Sequence, residues 1–216
     1  MNPSTFPDLA YHSGRSPLDF SPNATQDADL LHSLGFIPGL KELLIMRQAH
    51  ALEHATVWVL NESSRAPGPA SLMGHPARID DGQLSGLSTD RGFYLYGNVP
   101  TSRLRQAVQV ALQRLTQGEW SLAVHPRCGT NISVSMALTA MLAVGINLVM
   151  PKGPLEQLLG IGLAVAAAEQ MAPDVGSVVQ QHITTAIPFN LEVTDIHPLD
   201  RRWHGPGHFI QVRWVE

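Results

Sequence analysis

The sequence predicts an α+β fold, mostly helical, with a small antiparallel sheet and a helical hairpin, read as transmembrane, in its C-terminal half. Three observations predict it. Leu40 to about Glu62 carries apolar side chains nearly all round a helix, the mark of a central, buried one. Short alternating stretches at Phe189–Ile196 and Phe209–Val215, with an aromatic stretch around Phe93, read as strands. Ile132–Met150 is a run of 19 residues without a charge, and a second apolar segment follows one short turn later.

Composition narrows the class. The chain has 216 residues, of which 44% are hydrophobic and only 15% charged, against the usual quarter. Its mean hydropathy of +0.01 is high for a chain wholly surrounded by water. The net charge is −4 with no basic run, which argues against a nucleic-acid partner. A single cysteine excludes an intramolecular disulfide and leaves a thiol for ligation or nucleophilic chemistry. No basic stretch followed by an apolar one opens the chain, so no cleavable signal peptide is expected.

Taken in order, four parts are expected: a tail over 1–24, an α+β domain over 25–131, an apolar hairpin over 132–172, and a helix with a strand pair over 173–216 that packs back on the domain. Thr25–Leu34 reads as a short helix, and Pro38-Gly39 breaks the chain before the long one. Ser63–Ser85 is rich in Pro, Gly and Ser and reads as a loop or lid. Gly86–Gly97 reads as a turn and then an aromatic strand. A helix to Thr116 follows, capped by Thr101 or Ser102, with Leu104, Val108, Ala111, Leu112 and Leu115 on its apolar face. Trp120–Val124 reads as a short strand, and a helix capped by Thr130 or Asn131 opens the hairpin. Pro151-Lys152-Gly153-Pro154 is its turn and Leu155–Ala172 its second arm. Small residues recur every fourth position, at Ser135, Thr139 and Ala143 and at Gly160, Ala164 and Ala168, as in close-packed membrane helices. The alternative is a buried core hairpin without a membrane. A separate helix is expected over Val175–His182, and Arg201–His208 as the loop between the last strands.

The chemistry concentrates in two clusters. His50-Ala-Leu-Glu53-His54 places two imidazoles four residues apart on one helix face, where both can meet one metal ion. Glu53 lies about 60° round the helix from His50 and is placed to act as general base on a metal-held water. This is the inverted zincin order. The bland alternative is an inert, hydrogen-bonded pair on a buried helix. His125-Pro-Arg-Cys128 supplies further ligand types just ahead of a helix, where the N-terminal dipole favours a thiolate at Cys128. Its alternative is a turn with a buried Cys and a surface His. His12, His32, His75 and His182 stand alone, and His197, His204 and His208 match no trusted ligand spacing.

His50, Glu53 and His54, followed by His125-Pro126-Arg127-Cys128-Gly129-Thr130 and an apolar span, resemble a family of uncharacterised bacterial integral membrane proteins predicted to be metal-dependent enzymes. There the pattern is His-Gly-Ala-Glu-His, then His-Pro-Arg-Cys-Gly-Thr. Leu40–Leu60, Gly86–Gly97 and His125–Asn131 also resemble a related bacterial membrane family of unknown function, over most of the chain after residue 34. The 70 residues between His54 and His125 exceed the spacing in the first family, and its extra membrane segments are missing. Both resemblances imply a metal and a membrane; neither implies a substrate.

The reading that results is a membrane-anchored, zinc-dependent hydrolase, a peptidase, in a bacterial cell membrane with its polar domain in the cytoplasm. His50 and His54 ligate zinc, Cys128 or His125 completes the site, and Glu53 is the general base. Membrane lipid and a protein or peptide substrate are the expected partners. Two alternatives stand beside it: a non-catalytic membrane protein whose closed His/Cys site is structural, and a thiol enzyme using Cys128 with a nearby His.

Overall fold

The computed structural model describes residues 22–63, 82–199 and 205–215. Most of the expected tail, the greater part of the Ser63–Ser85 loop, His12, His75, and Arg201 to His204 lie outside the described residues.

Helix α1 (Gln26–Leu34) carries Asp27 and Asp29 in its first turn, where acidic groups suit the helix dipole. Gly39, at φ 82°, makes the break that lets the chain turn into α2. Helix α2 (Leu40–Ser63) is the axis of the molecule: from Gln48 to Asn61 every residue but His50 is buried. Strands β1 (Ser85–Thr89) and β2 (Gly92–Tyr96) form a hairpin, and α3 (Thr101–Thr116) lies against α2. The last strands are β3 (Leu191–Pro198) and β4 (Gly207–Trp214). All pairings are antiparallel in the order β1-β2-β4-β3, with Phe93 opposite Ile210 and a register irregularity between Val193 and Asp195. Leu52, Leu60, Phe93, Leu95, Leu104, Leu115, Leu122 and Ile210 fill the core between sheet and helices. The fold is the mostly helical one with a small antiparallel sheet that the pattern predicts.

Three local expectations are corrected. Trp120–Ala123 is a 3-10 turn, not a strand. Leu122 N–H returns to the Glu119 carbonyl at 3.1 Å and Glu119 N–H to the Arg114 carbonyl at 3.0 Å, so these backbone groups are spent locally. Neither Thr101 nor Ser102 caps α3. Pro100 holds that position, and the Thr101 hydroxyl lies 2.9 Å from His208 Nε2. There is also no separate helix at Val175–His182.

The hairpin is made of α4 (Gly129–Val149) and α5 (Pro154–Val179), and α5 runs on through Pro173 into a π-helical turn, Gln180–Thr184. Proline inside a helix forfeits one backbone bond. Here Gly160, Ala164, Ala168, Ala172 and Gly176 form one buried stripe facing α4 on both sides of Pro173, and this packing holds the helix continuous. A methyl at Gly160 would press on Ile146 and Met150, and one at Gly176 would collide with Asn131. The arms touch along their length. Away from that stripe they are bare: α4 has no buried residue, and Leu148 is 77% exposed. Two helices, Gly129–Val149 with mean hydropathy 2.0 and Pro154–Thr184 with 1.2, are long and apolar enough to cross a membrane.

Candidate metal centre

Helical geometry sets His50 and His54 one turn apart, with ring centroids 4.4 Å from each other. Each ring is fixed by its far nitrogen. His50 Nδ1 is 3.0 Å from the Thr184 carbonyl at the end of α5, and His54 Nδ1 is 2.7 Å from the Ala123 carbonyl in the 3-10 turn. A carbonyl oxygen only accepts, so in both rings Nδ1–H donates, and in the neutral tautomer Nε2 carries the lone pair. Cys128 Sγ lies 3.2 Å from His50 Nε2, and one ligand atom each from His50, His54 and Cys128 falls within 4.8 Å of the others. Two oriented imidazoles and a thiol form a borderline-soft donor set that could hold a divalent transition metal. The carbonyl partners supply the outer-shell orientation that metal-binding histidines ordinarily have.

Electrostatics favours the ligand form of His54. Burial, then repulsion from His50, depresses its pKa well below the usual 6.5, so the ring is neutral. The expectation for Cys128 is corrected. Its side chain is itself the N-cap of α4, accepting the Thr130 N–H at 3.4 Å, in place of Thr130 or Asn131. Burial nevertheless pushes the thiol pKa up, outweighing the Thr130 hydrogen bonds. A helix end alone does not make a thiolate here; a bound cation would.

Glu53 stands outside the three-residue group. It is buried, and desolvation pushes its carboxyl pKa up against the lowering effects of the Ser88 hydroxyl and His50. Ser88 Oγ donates to Oε2 at 2.5 Å, and the other oxygen lies against the bare Cα of Gly86. His125 stands beside the group and not in it: its ring centroid is 5.5 Å from that of His54 and 4.8 Å from Trp58. Its Nδ1 accepts the Arg127 N–H at 3.3 Å, and its backbone N–H donates to Gln180 Oε1 at 2.8 Å. With Nδ1 accepting, the neutral ring carries its proton on Nε2, the opposite tautomer from His50 and His54. Gln180 also donates to Asn131 Oδ1 at 2.8 Å, so the His125 loop, α4 and α5 share one polar junction.

A cavity of about 750 Å³ opens onto these groups, lined also by Leu84–Ser88, His125 and Arg127–Thr130. A cavity of about 810 Å³ borders α1 and the end of α5 and shares Arg47 with it, but none of the three candidate ligand side chains. Elsewhere, His32 ends α1, His182 lies in the π turn, and His197 lies 3.4 Å from Asp195.

A family described as Domain of unknown function (DUF6391) matches residues 45–196. An uncharacterised protein of Picosynechococcus sp. is 52% identical over 197 residues, 91% of this chain and 93% of the relative. The chain belongs to the DUF6391 family. No solved structure matches it. The DUF6391 match spans α2 from Ile45, the β1–β2 hairpin, all of α4 and α5 and most of β3; it contains every residue of the centre and leaves out α1 and β4.

Sequence reasoning missed Ser88, Gly86, Thr184, Ala123 and Gln180. Thr184 and Ala123 act through carbonyls, which every residue carries, so no side-chain signal exists for them. Gly86 can be tested directly. Its Cβ would collide with the Glu53 carboxylate, so Gly86→Ala should destabilise by about 1–3 kcal/mol, an overpacked site. Thermal unfolding of Gly86→Ala, Glu53→Ala and the double variant should be strongly non-additive, the second substitution relieving the first. Additive losses would mean the clash is absorbed elsewhere.

Proposed function

We propose that this chain is a membrane-anchored, metal-dependent hydrolase, a peptidase that uses zinc, with His50, His54 and Cys128 as ligands and Glu53 as general base. The observation that carries it is the pair of Nδ1–H···O=C bonds, which turn two Nε2 lone pairs toward one thiol. Zinc bound there would supply Lewis acidity to a scissile carbonyl and lower the pKa of water. Three protein ligands leave a position open, which favours catalysis over a structural staple. Glu53 has the environment of a proton carrier: buried, with its carboxyl pKa raised by desolvation, and fixed at one oxygen by Ser88 so that the other can take a proton. The motif resemblance to predicted metal-dependent membrane enzymes supports the same reading.

Membrane anchoring is supported by the exposed apolar arms, which are not the buried hairpin of a core. A hairpin returns both of its ends to one side. Arg47 and Arg127 lie at that end against Lys152 at the turn, a bias that favours a cytoplasmic centre at the surface of a bacterial cell membrane.

The Cys128–His50 pair supports a second reading, a thiol enzyme in which His50 Nε2 takes the thiol proton while the Thr184 carbonyl orients the ring. One preparation separates these readings. Membranes carrying the protein are washed with carbonate, extracted in detergent, and the purified chain is assayed for metal before and after alkylation. The hydrolase reading expects retention through the wash and close to one zinc per chain, with Cys128 protected until the metal is chelated. Release by carbonate removes the membrane assignment. Free alkylation without metal loss replaces zinc chemistry with the thiol.

A further inference from the structure

We propose that the cavity binds a polypeptide in extended conformation, added as a further strand along the edge of β1. This rests on the hydrolase reading for the use of the site, while the binding mode rests on its own geometry.

Leu84, Ser85, Gly86, Leu87 and Ser88 all border the cavity. Successive side chains of a strand point to opposite faces, so a wall made of one face would take every second residue. Consecutive lining means that the strand's edge, with its backbone groups, runs along the opening. β1 is the first strand in the order β1-β2-β4-β3, and among the described residues its sole strand partner is β2. An open edge is a template for an incoming chain, whose backbone supplies affinity and whose alternate side chains supply specificity. The edge passes directly over the chemistry. Ser88 holds Glu53, and Gly86 lets the backbone approach the same carboxylate. A chain paired there shares the cavity with His125 and Arg127–Thr130, with His50, Glu53 and His54 beside its carbonyls.

The surroundings give the preferred composition. Leu43, Met46, Leu87 and Ile183 line the same cavity and are each more than a third exposed. They suit apolar side chains at alternate positions of the bound segment. An acyl chain could use those side chains but has no use for a strand edge, and this difference is what the test reads.

Full-length Glu53→Gln protein in mild detergent is mixed with a pool of mixed-sequence octapeptides carrying apolar residues at alternate positions. Retained peptides are quantified by mass spectrometry. Two matched pools are N-methylated, one at the apolar positions and one at the others. In strand pairing only every second peptide N–H faces the partner, and the apolar pattern pins the register. One methylated pool should therefore lose about tenfold in retention, as expected for two missing backbone hydrogen bonds, while the other binds as the unmethylated pool does. Equal retention of all three pools, or of none, overturns the proposal. Register-dependent retention, beside wild-type protein that holds no metal and cleaves none of the peptides, sinks the hydrolase reading and leaves this one standing. Metal and cleavage in the wild type, without register dependence in the variant, does the reverse.

Discussion

On the hydrolase reading, Glu53→Gln should keep its metal and its fold and lose turnover by about 10²–10⁴-fold, the contribution of a positioned general base. The amide keeps the size of the carboxyl and can still accept from Ser88 Oγ, so the β1 contact survives. What it cannot do is take a proton. The metal-free protein offers a second readout with a definite sign. Burial raises the folded-state pKa of Glu53 above its unfolded value, so the folded chain favours the protonated form. That contribution is fully present below the unfolded pKa and is lost as pH rises through the folded one. The amide has no such dependence. Chelated Glu53→Gln should therefore unfold at or above the wild-type temperature at neutral pH, and the gap should close on acidification. A Gln variant that sheds its metal would make Glu53 a ligand, or a clamp on one of the histidines.

His54→Ala should cost more in stability than any other single change at the centre. It removes a proposed ligand, leaves a cavity where a ring was 3% exposed, and strips the Ala123 carbonyl of its donor. A loss of about 2–4 kcal/mol is expected from the cavity and the orphaned acceptor, together with the loss of bound metal. Thermal unfolding with and without chelator, and metal analysis of the same samples, measure the two parts. Chelation should lower the Tm of the wild type and leave that of His54→Ala unmoved, because ligands stabilise only a state that binds them. Full metal content in His54→Ala would place the ion elsewhere.

The long elements were legible because their signals are redundant. The apolar residues of α2 and the His50–His54 spacing point to the same helix, and the uncharged run of α4 allows little else. The stretch Ser-Gly-Leu-Ser-Thr reads as a turn because it offers one large apolar side chain, yet it forms β1, whose Gly86 and Ser88 lie against Glu53. Trp120–Val124 has the composition of a strand, but Gly118 and the Arg114–Glu119 pair tie it into a tight turn. Pro173 suggested a helix boundary, and only the Gly/Ala stripe shared with α4, a tertiary contact, overrides it. At the centre, His50, His54 and Cys128 stood out by residue type. What separates them from His125 is which ring nitrogen meets a carbonyl and which meets an N–H, and that follows from the folded backbone alone.

The π turn at the end of α5 bears on how such a chain can be inherited. Thr184 orients His50, and Arg47 reaches the carbonyls of His182 and Thr185 at 3.2 and 3.1 Å, so the last turn of the apolar arm is built into α2. Cys128 starts the other arm. Exchange of the hairpin between relatives, cut at the hydropathy boundary near residue 131, would carry away the group that aims one imidazole and leave the thiol behind. The apolar hairpin and the three-residue group are therefore one structural unit, and relatives in which the hairpin has been replaced wholesale should also have lost His50 or Cys128.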